Sequence, residues 1–291
     1  MTPHYGCGRH RGAHGRVPEG REPGTIRRVE IAQHIDSLER DGQLMAAAAE
    51  RGGLRAPVPS CPGWQVRDLL RHQGHVHRWA GRFVTERLQD AVPEPSEAEI
   101  LAADPPDTQL LAWFREGHAA LVAALRAAPP DLSCWTFLPA PSPLAFWARR
   151  QAHETAIHRV DAEQTAGGAV SPIDPAFAAD GIDELIMGFL GRHERRLTDE
   201  QRGGGRLRVR VQSTDAAGVW QVELTEDGKR AARVRRGSND GAADCTLAGP
   251  AAGLYLVLWN RAEPGAGTDV SVGGDAAILQ SWRDGMRVTW E

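Results

Sequence analysis

The sequence predicts a mixed, multidomain chain: a helical bundle over residues 25–200, then a small α+β domain over 206–291. Two observations carry this. Up to about Arg196 the apolar residues recur at helical spacing, and after Gly203-Gly204-Gly205 they alternate with polar ones at the period of strands. Size agrees, since 291 residues, 41% hydrophobic and 25% charged, suffice for two globular cores.

Residues 1–24 are rich in Gly, Arg and Pro and poor in aliphatics, so a disordered tail is expected there. Cys7, His10 and His14 stand at ligand-like spacing within it and are read as incidental to a flexible tail. A first helix is expected over 25–51, with Ile31, Ile35, Leu38 and Met45 inward and Gly52-Gly53 as its stop. The Pro-rich loop APVPSCPGW leads to a second helix over 65–88. A third, over 107–127, carries Leu110, Phe114, Leu121 and Leu125 and halts at Pro129-Pro130. A fourth spans 144–166 up to Gly167-Gly168, and a fifth spans 174–197. Long helices with modest connections make a bundle.

Past the glycine triplet, RLRVRVQ and VWQVELT alternate around a turn at Asp215–Gly218. RAARVRR and ADCTLAG follow as strands, PAAGLYLVLWNR as a helix starting at Pro250. TDVSVGG and MRVTWE read as short strands flanking a helix at 275–283.

Composition excludes several classes. A net charge of −4 gives no electrostatic footprint for nucleic acid, and no helix-turn-helix is evident. Cys7, Cys61, Cys134 and Cys245 are far apart, so neither a disulfide framework nor a cysteine-rich zinc site is expected. No apolar run approaches the ~20 residues a membrane span needs, and the N-terminus lacks a hydrophobic signal core. A cytoplasmic protein without membrane or nucleic-acid partners is the expectation.

The chemistry concentrates in QAHETAIHRVDAE, residues 151–163. A zincin places two histidines four apart with a glutamate between them. Here His153 and His158 are five apart and diverge on the helix. Glu154 and His158 are four apart and share a face, joined by Asp161 and Trp147. Such a pair can give two ligands to one cation inside a bundle, or simply hydrogen-bond to each other. On the second helix Leu69, His72, Val76, Trp79 and Phe83 form one stripe, so His72 lies in an apolar face and needs a partner. That partner is a carbonyl, a carboxylate, or a metal shared with Glu154 and His158. His75 and His77 fall toward the flanks and are expected to be solvated. Two histidines and one glutamate form a known zinc ligand set with a fourth position open, and Asp161 would then orient His158.

Two stretches carry a resemblance. VPSCPGWQVRDLLRHQGHVHRW, residues 58–79, and WARRQAHETAIHRVDAE, residues 147–163, are similar to the signature blocks of the mycothiol-dependent maleylpyruvate isomerase family. LYLVLWNR and VGGDAAILQSW resemble its C-terminal domain, so the likeness runs over about 25–291. It implies a DinB-like four-helix bundle that binds zinc through His72, Glu154 and His158. It also implies an active-site arginine from the second domain, for which Arg261 is the candidate and Arg283 the reserve. A helix-end arginine can instead merely cap carbonyls or pair with a carboxylate. Trp64, just before the second helix, lines the thiol pocket on this reading, or packs at the start of the helix. Cys61 beside it is read as structural, because the implied nucleophile is the thiol of mycothiol.

The implied reaction uses mycothiol as cosubstrate. Its zinc-bound thiolate adds to an electrophilic small molecule, for cis-trans isomerisation or for S-transfer. Two rivals stand beside it: a thiol-independent zinc hydrolase, and a non-catalytic metal- or ligand-binding module.

Overall fold

This computed structural model describes residues 28–92, 105–196, 207–225, 230–237, 241–265 and 267–285. The expected tail over 1–24, with Cys7, His10 and His14, and the strand expected in MRVTWE lie outside the described residues.

Four long helices come first: α1 Ile31–Gly52, α2 Val66–Glu86, α3 Asp107–Ala127 and α4 Pro143–Thr165. Local chemistry sets their ends. Gln65 and Asp68 form a reciprocal capping box at the start of α2. Ser142 accepts from the Ala145 amide and Pro143 opens α4 with its φ already suited to a helix. α1 packs along α4, and α2 along α3 and α4. The apolar stripe of α2 is buried as its spacing predicts, His72 included. His77 is not solvated: it is fully buried, with Nε2 at 2.9 Å from both Gln73 Nε2 and Thr155 Oγ1. Being packed against α3 and α4 at once, α2 buries a wider arc than a single stripe. His75 is half-buried, its ring edge-on to Trp113 at 5.1 Å.

α4 reads as polar nearly all round, yet almost its whole length is buried. Its charges are met by partners from every side, such as Arg159 with Glu163 at 2.7 Å. Buried charges persist only when paired in this way. Near its N-terminus Trp147 anchors an aromatic cluster, stacked on Phe83 at 4.8 Å and edge-on to Trp79 at 5.3 Å.

The fifth helix is broken where the sequence predicted one continuous run. α5 Pro175–Asp183 passes into a π-helical turn, Glu184–Leu190, and then into α6 Gly191–Arg196. Apolar spacing does not distinguish i→i+5 from i→i+4 bonding over so short a stretch. The turn carries Glu184 inward.

The sheet holds β1 Leu207–Ser213, β2 Val219–Leu224, β3 Ala231–Arg236, β4 Cys245–Gly249 and β5 Ser271–Gly274 in the order β3-β2-β1-β4-β5. β1 and β4 are parallel and the other neighbours antiparallel. Val209, Val211, Trp220, Val222 and Leu247 form its buried face. α7 Ala251–Leu258 follows β4, and α8 Ala276–Gly285 follows β5. α7 packs on α5 so closely that a Cβ at Gly181 would come within 2.4 Å of the Tyr255 ring. Just past α7, Asn260 takes a left-handed φ of 61°, a conformation its short amide tolerates. That turn brings Arg261 back toward α4. Among the described residues no helix is long and apolar enough to cross a membrane.

Candidate metal centre

His72 from α2 and Glu154 and His158 from α4 converge, with one ligand atom of each within 4.8 Å of the others. Glu154 Oε1 lies 3.4 Å from His72 Nε2 and 3.2 Å from His158 Nε2. These distances sit at or beyond the ordinary hydrogen-bond limit. They match the ligand–ligand edge of about 3.4 Å that follows from metal–ligand bonds near 2.1 Å in a tetrahedron. All three residues are buried. The Trp64 ring covers His72 at 5.2 Å.

Behind His158 stands a second layer. His158 Nδ1 lies 2.8 Å from Asp161 Oδ2. Arg261 donates to both Asp161 oxygens at 2.9 Å and to the Trp259 carbonyl at 2.8 Å. Ser60 donates to Asp161 Oδ1, and Cys61 Sγ lies 3.7 Å from Oδ2. Burial opposes the charge of Asp161, but Arg261 and His158 outweigh it and hold the carboxyl well below its usual range. Burial likewise opposes charge on His158, but Asp161 and Glu154 on its two nitrogens raise it to about 8. His158 thus holds a proton between two carboxylates, where a metal ion would supply the same positive charge. Burial also works against Glu154, yet the adjacent His158 and His72 imidazoles and the charge of Arg150 push it well below its ordinary value.

Glu154 Oε2 receives a 2.8 Å bond from Arg150, which also pairs with Glu184. Burial raises Glu184 to about 7, against the pull of Arg150 and Arg149.

A second cluster, His34, His153 and Asp180, has ligand atoms as close together. Its chemistry differs. Both Nε2 atoms lie 2.9 Å from Asp180 Oδ2, ordinary hydrogen-bond lengths, and Arg149 Nε donates to the same oxygen at 2.8 Å. A fixed guanidinium already neutralises that carboxylate, so the cluster is satisfied by hydrogen bonds. A third grouping, Cys61, His158 and Asp161, lies on the Nδ1 side of His158 and shares that residue with the first.

Comparison with known proteins agrees with this arrangement of helices and sheet. The family model described as mycothiol maleylpyruvate isomerase N-terminal domain matches residues 36–163, and the one described as MDMPI C-terminal domain matches 176–281. The chain belongs to the mycothiol-dependent maleylpyruvate isomerase family. A crystal structure of the mycothiol-dependent maleylpyruvate isomerase superposes with a TM-score of 0.55 at 13% identity, covering 84% of this chain and 93% of that one. A histidine-to-alanine mutant of that enzyme gives the same figures. At this identity the superposition speaks for the fold. No curated protein is similar enough to count as a relative.

Within this family fold, the structure brings His72, Glu154, His158, Asp161, Trp64 and Arg261 into one neighbourhood. Arg283 does not join them; it pairs with Glu263. Sequence reasoning missed Ser60, Arg150 and Glu184. Arg150 was findable, being one helical turn before Glu154. Glu184 carried no signal, since only the tertiary fold brings it to Arg150.

Proposed function

We propose that this chain is a zinc-dependent enzyme that activates mycothiol and adds it to an electrophilic small molecule, by cis-trans isomerisation or S-transfer. The observation that supports it is the pair of long edges from Glu154 Oε1 to the two Nε2 atoms. The donor set, two imidazoles and one carboxylate, suits zinc and leaves a position for an external group. Zinc held by His72, Glu154 and His158 would lower the pKa of a bound thiol and make it a nucleophile near neutral pH.

The chain's own residues divide the remaining work. Asp161 accepts the Nδ1 proton of His158 and so turns Nε2 toward Glu154. Arg261, the candidate for the active-site arginine that the resemblance implies, has its guanidinium fork closed on Asp161. Its proposed part is therefore to hold Asp161, and through it His158. Trp64 walls the His72 side. We take residues 25–200 and 206–291 as the working domain division, with the centre in the first and Arg261 from the second. A cytoplasmic setting suits a thiol cosubstrate, which must stay reduced.

Two measurements test the reading. Elemental analysis of purified protein should give about one zinc per chain, lost in His72→Ala, Glu154→Ala and His158→Ala. Turnover of maleylpyruvate or another electrophile should then require mycothiol. Thiol-independent hydrolysis would favour the hydrolase, and metal without any turnover the binding module.

A further inference from the structure

Arg150 is buried to 1% side-chain exposure, with its guanidinium between two carboxylates from different parts of the chain. Nη2 donates to Glu154 Oε2 at 2.8 Å, and Nη1 pairs with Glu184 Oε2. The aromatic rings of Phe189 and Trp259 lie 5.2 and 5.6 Å from its central carbon. The other oxygen of Glu154, Oε1, is the one that faces His72 and His158. The two oxygens of this carboxylate therefore have separate partners.

We propose that Arg150 is a positioning residue that makes Glu154 a one-oxygen ligand, with Glu184 holding Arg150 in place, so that the centre keeps a position for an external thiol. This rests on the metal reading of His72, Glu154 and His158. Carboxylates bind metals through one oxygen or two. A Glu154 released from Arg150 can turn both oxygens to the cation and fill the position a thiol would take. A guanidinium suits this restraint better than an ammonium, because its planar fork fixes direction as well as charge. The second arm of the fork needs an acceptor of its own, and Glu184 Oε2 supplies it from the π turn.

That origin gives the arrangement a further consequence. Arg150 and Glu154 lie in the segment matched by the N-terminal family model, and Glu184 in the segment matched by the C-terminal one. Seating of the second segment against α4 is thereby read out at the metal ligand. Trp259, against the same guanidinium, lies two residues before Arg261.

The test uses full-length protein loaded with cobalt(II), titrated with mycothiol. Metal content and the near-ultraviolet sulfur-to-cobalt charge-transfer band are read in wild type, Arg150→Met, Arg150→Lys and Glu184→Gln. The expected result is that Arg150→Met and Arg150→Lys retain cobalt, while the mycothiol concentration giving half the band rises about tenfold to a hundredfold. Glu184→Gln shows a smaller rise. Should Arg150→Met fail to fold, Arg150→Lys and Glu184→Gln decide. Wild-type mycothiol affinity in Arg150→Lys, or loss of cobalt with unchanged affinity in the fraction still loaded, overturns the proposal. Wild type that takes up no cobalt overturns the metal reading itself, and this proposal with it.

Discussion

Arg261 closes on Asp161 through two parallel hydrogen bonds of 2.9 Å, Nε to Oδ1 and Nη2 to Oδ2. The pair joins the end of α7 to α4 across a separation of 100 residues, and Asp161 is wholly buried. Paired forks of this kind are among the stronger charge-assisted contacts.

Removing one partner leaves the other charged in a dry site. Arg261→Ala is therefore expected to destabilise the metal-free protein by about 3–5 kcal/mol, the usual cost of breaking a buried pair. Arg261→Lys should recover part of this, keeping the charge and losing the fork. Urea unfolding of chelator-treated protein measures both. An Arg261→Ala variant as stable as wild type would show that the pair contributes nothing net.

The helices, the strands and the place where the period changes were legible because each rests on local pattern: α3 spans 107–127 as its apolar spacing predicts, and the helix after β4 starts with Pro250 as its N-cap. His72, Glu154 and His158 were legible for a similar reason, since i,i+4 spacing and an imidazole in an apolar stripe are both local. What failed was tertiary. His77 looked solvated because a wheel shows one stripe, whereas α2 is covered by two helices. The π turn was invisible because bonding pattern leaves no trace in apolar spacing.

Gly253 offers a test in which two effects have opposite sign. It lies inside α7, where glycine is worse than alanine by about 1 kcal/mol on propensity alone. Yet a Cβ there would lie 2.1 Å from the Thr268 carbonyl oxygen, a backbone atom that cannot swing aside. Overpacking of this kind costs about 1–3 kcal/mol or more, so Gly253→Ala should destabilise. A raised melting temperature in Gly253→Ala would contradict the close approach of α7 to that loop.

Acid should act on two buried groups in opposite directions. Burial lowers His153 to about 3, overriding the hydrogen bond to Asp180. Its ordinary value is about 6.5, so between these values the unfolded chain binds a proton that the folded one does not. The stability from His153 is thus full above about pH 6.5 and is lost as pH falls, by up to about 1.4 kcal/mol per unit. Glu184, raised by burial to about 7, works the other way: its contribution is full below its ordinary value of 4.5 and is lost as pH rises through 7. Urea midpoints of metal-free protein across this range should fall less with acid in His153→Gln. In Glu184→Gln the fall should be steeper. Identical profiles in all three proteins would show that neither group titrates as its surroundings dictate.

Cys61 is close enough to the centre to invite a nucleophilic role, and its environment argues against one. Burial first, then the negative charge of Asp161, raises its thiol to about 12, and Arg261 only partly offsets this. At pH 8 such a thiol is ionised to about one part in ten thousand, and the thiolate is the reactive form. Alkylation of Cys61 by iodoacetamide should accordingly be far slower than that of a free thiol in solution. The comparison is best made in a Cys7→Ser background, with modification mapped by peptide mass. Cys61→Ser should also retain mycothiol-dependent turnover, because the nucleophile comes from outside the chain. Fast labelling of Cys61, together with loss of turnover in Cys61→Ser, would move the nucleophile from the cosubstrate to the protein.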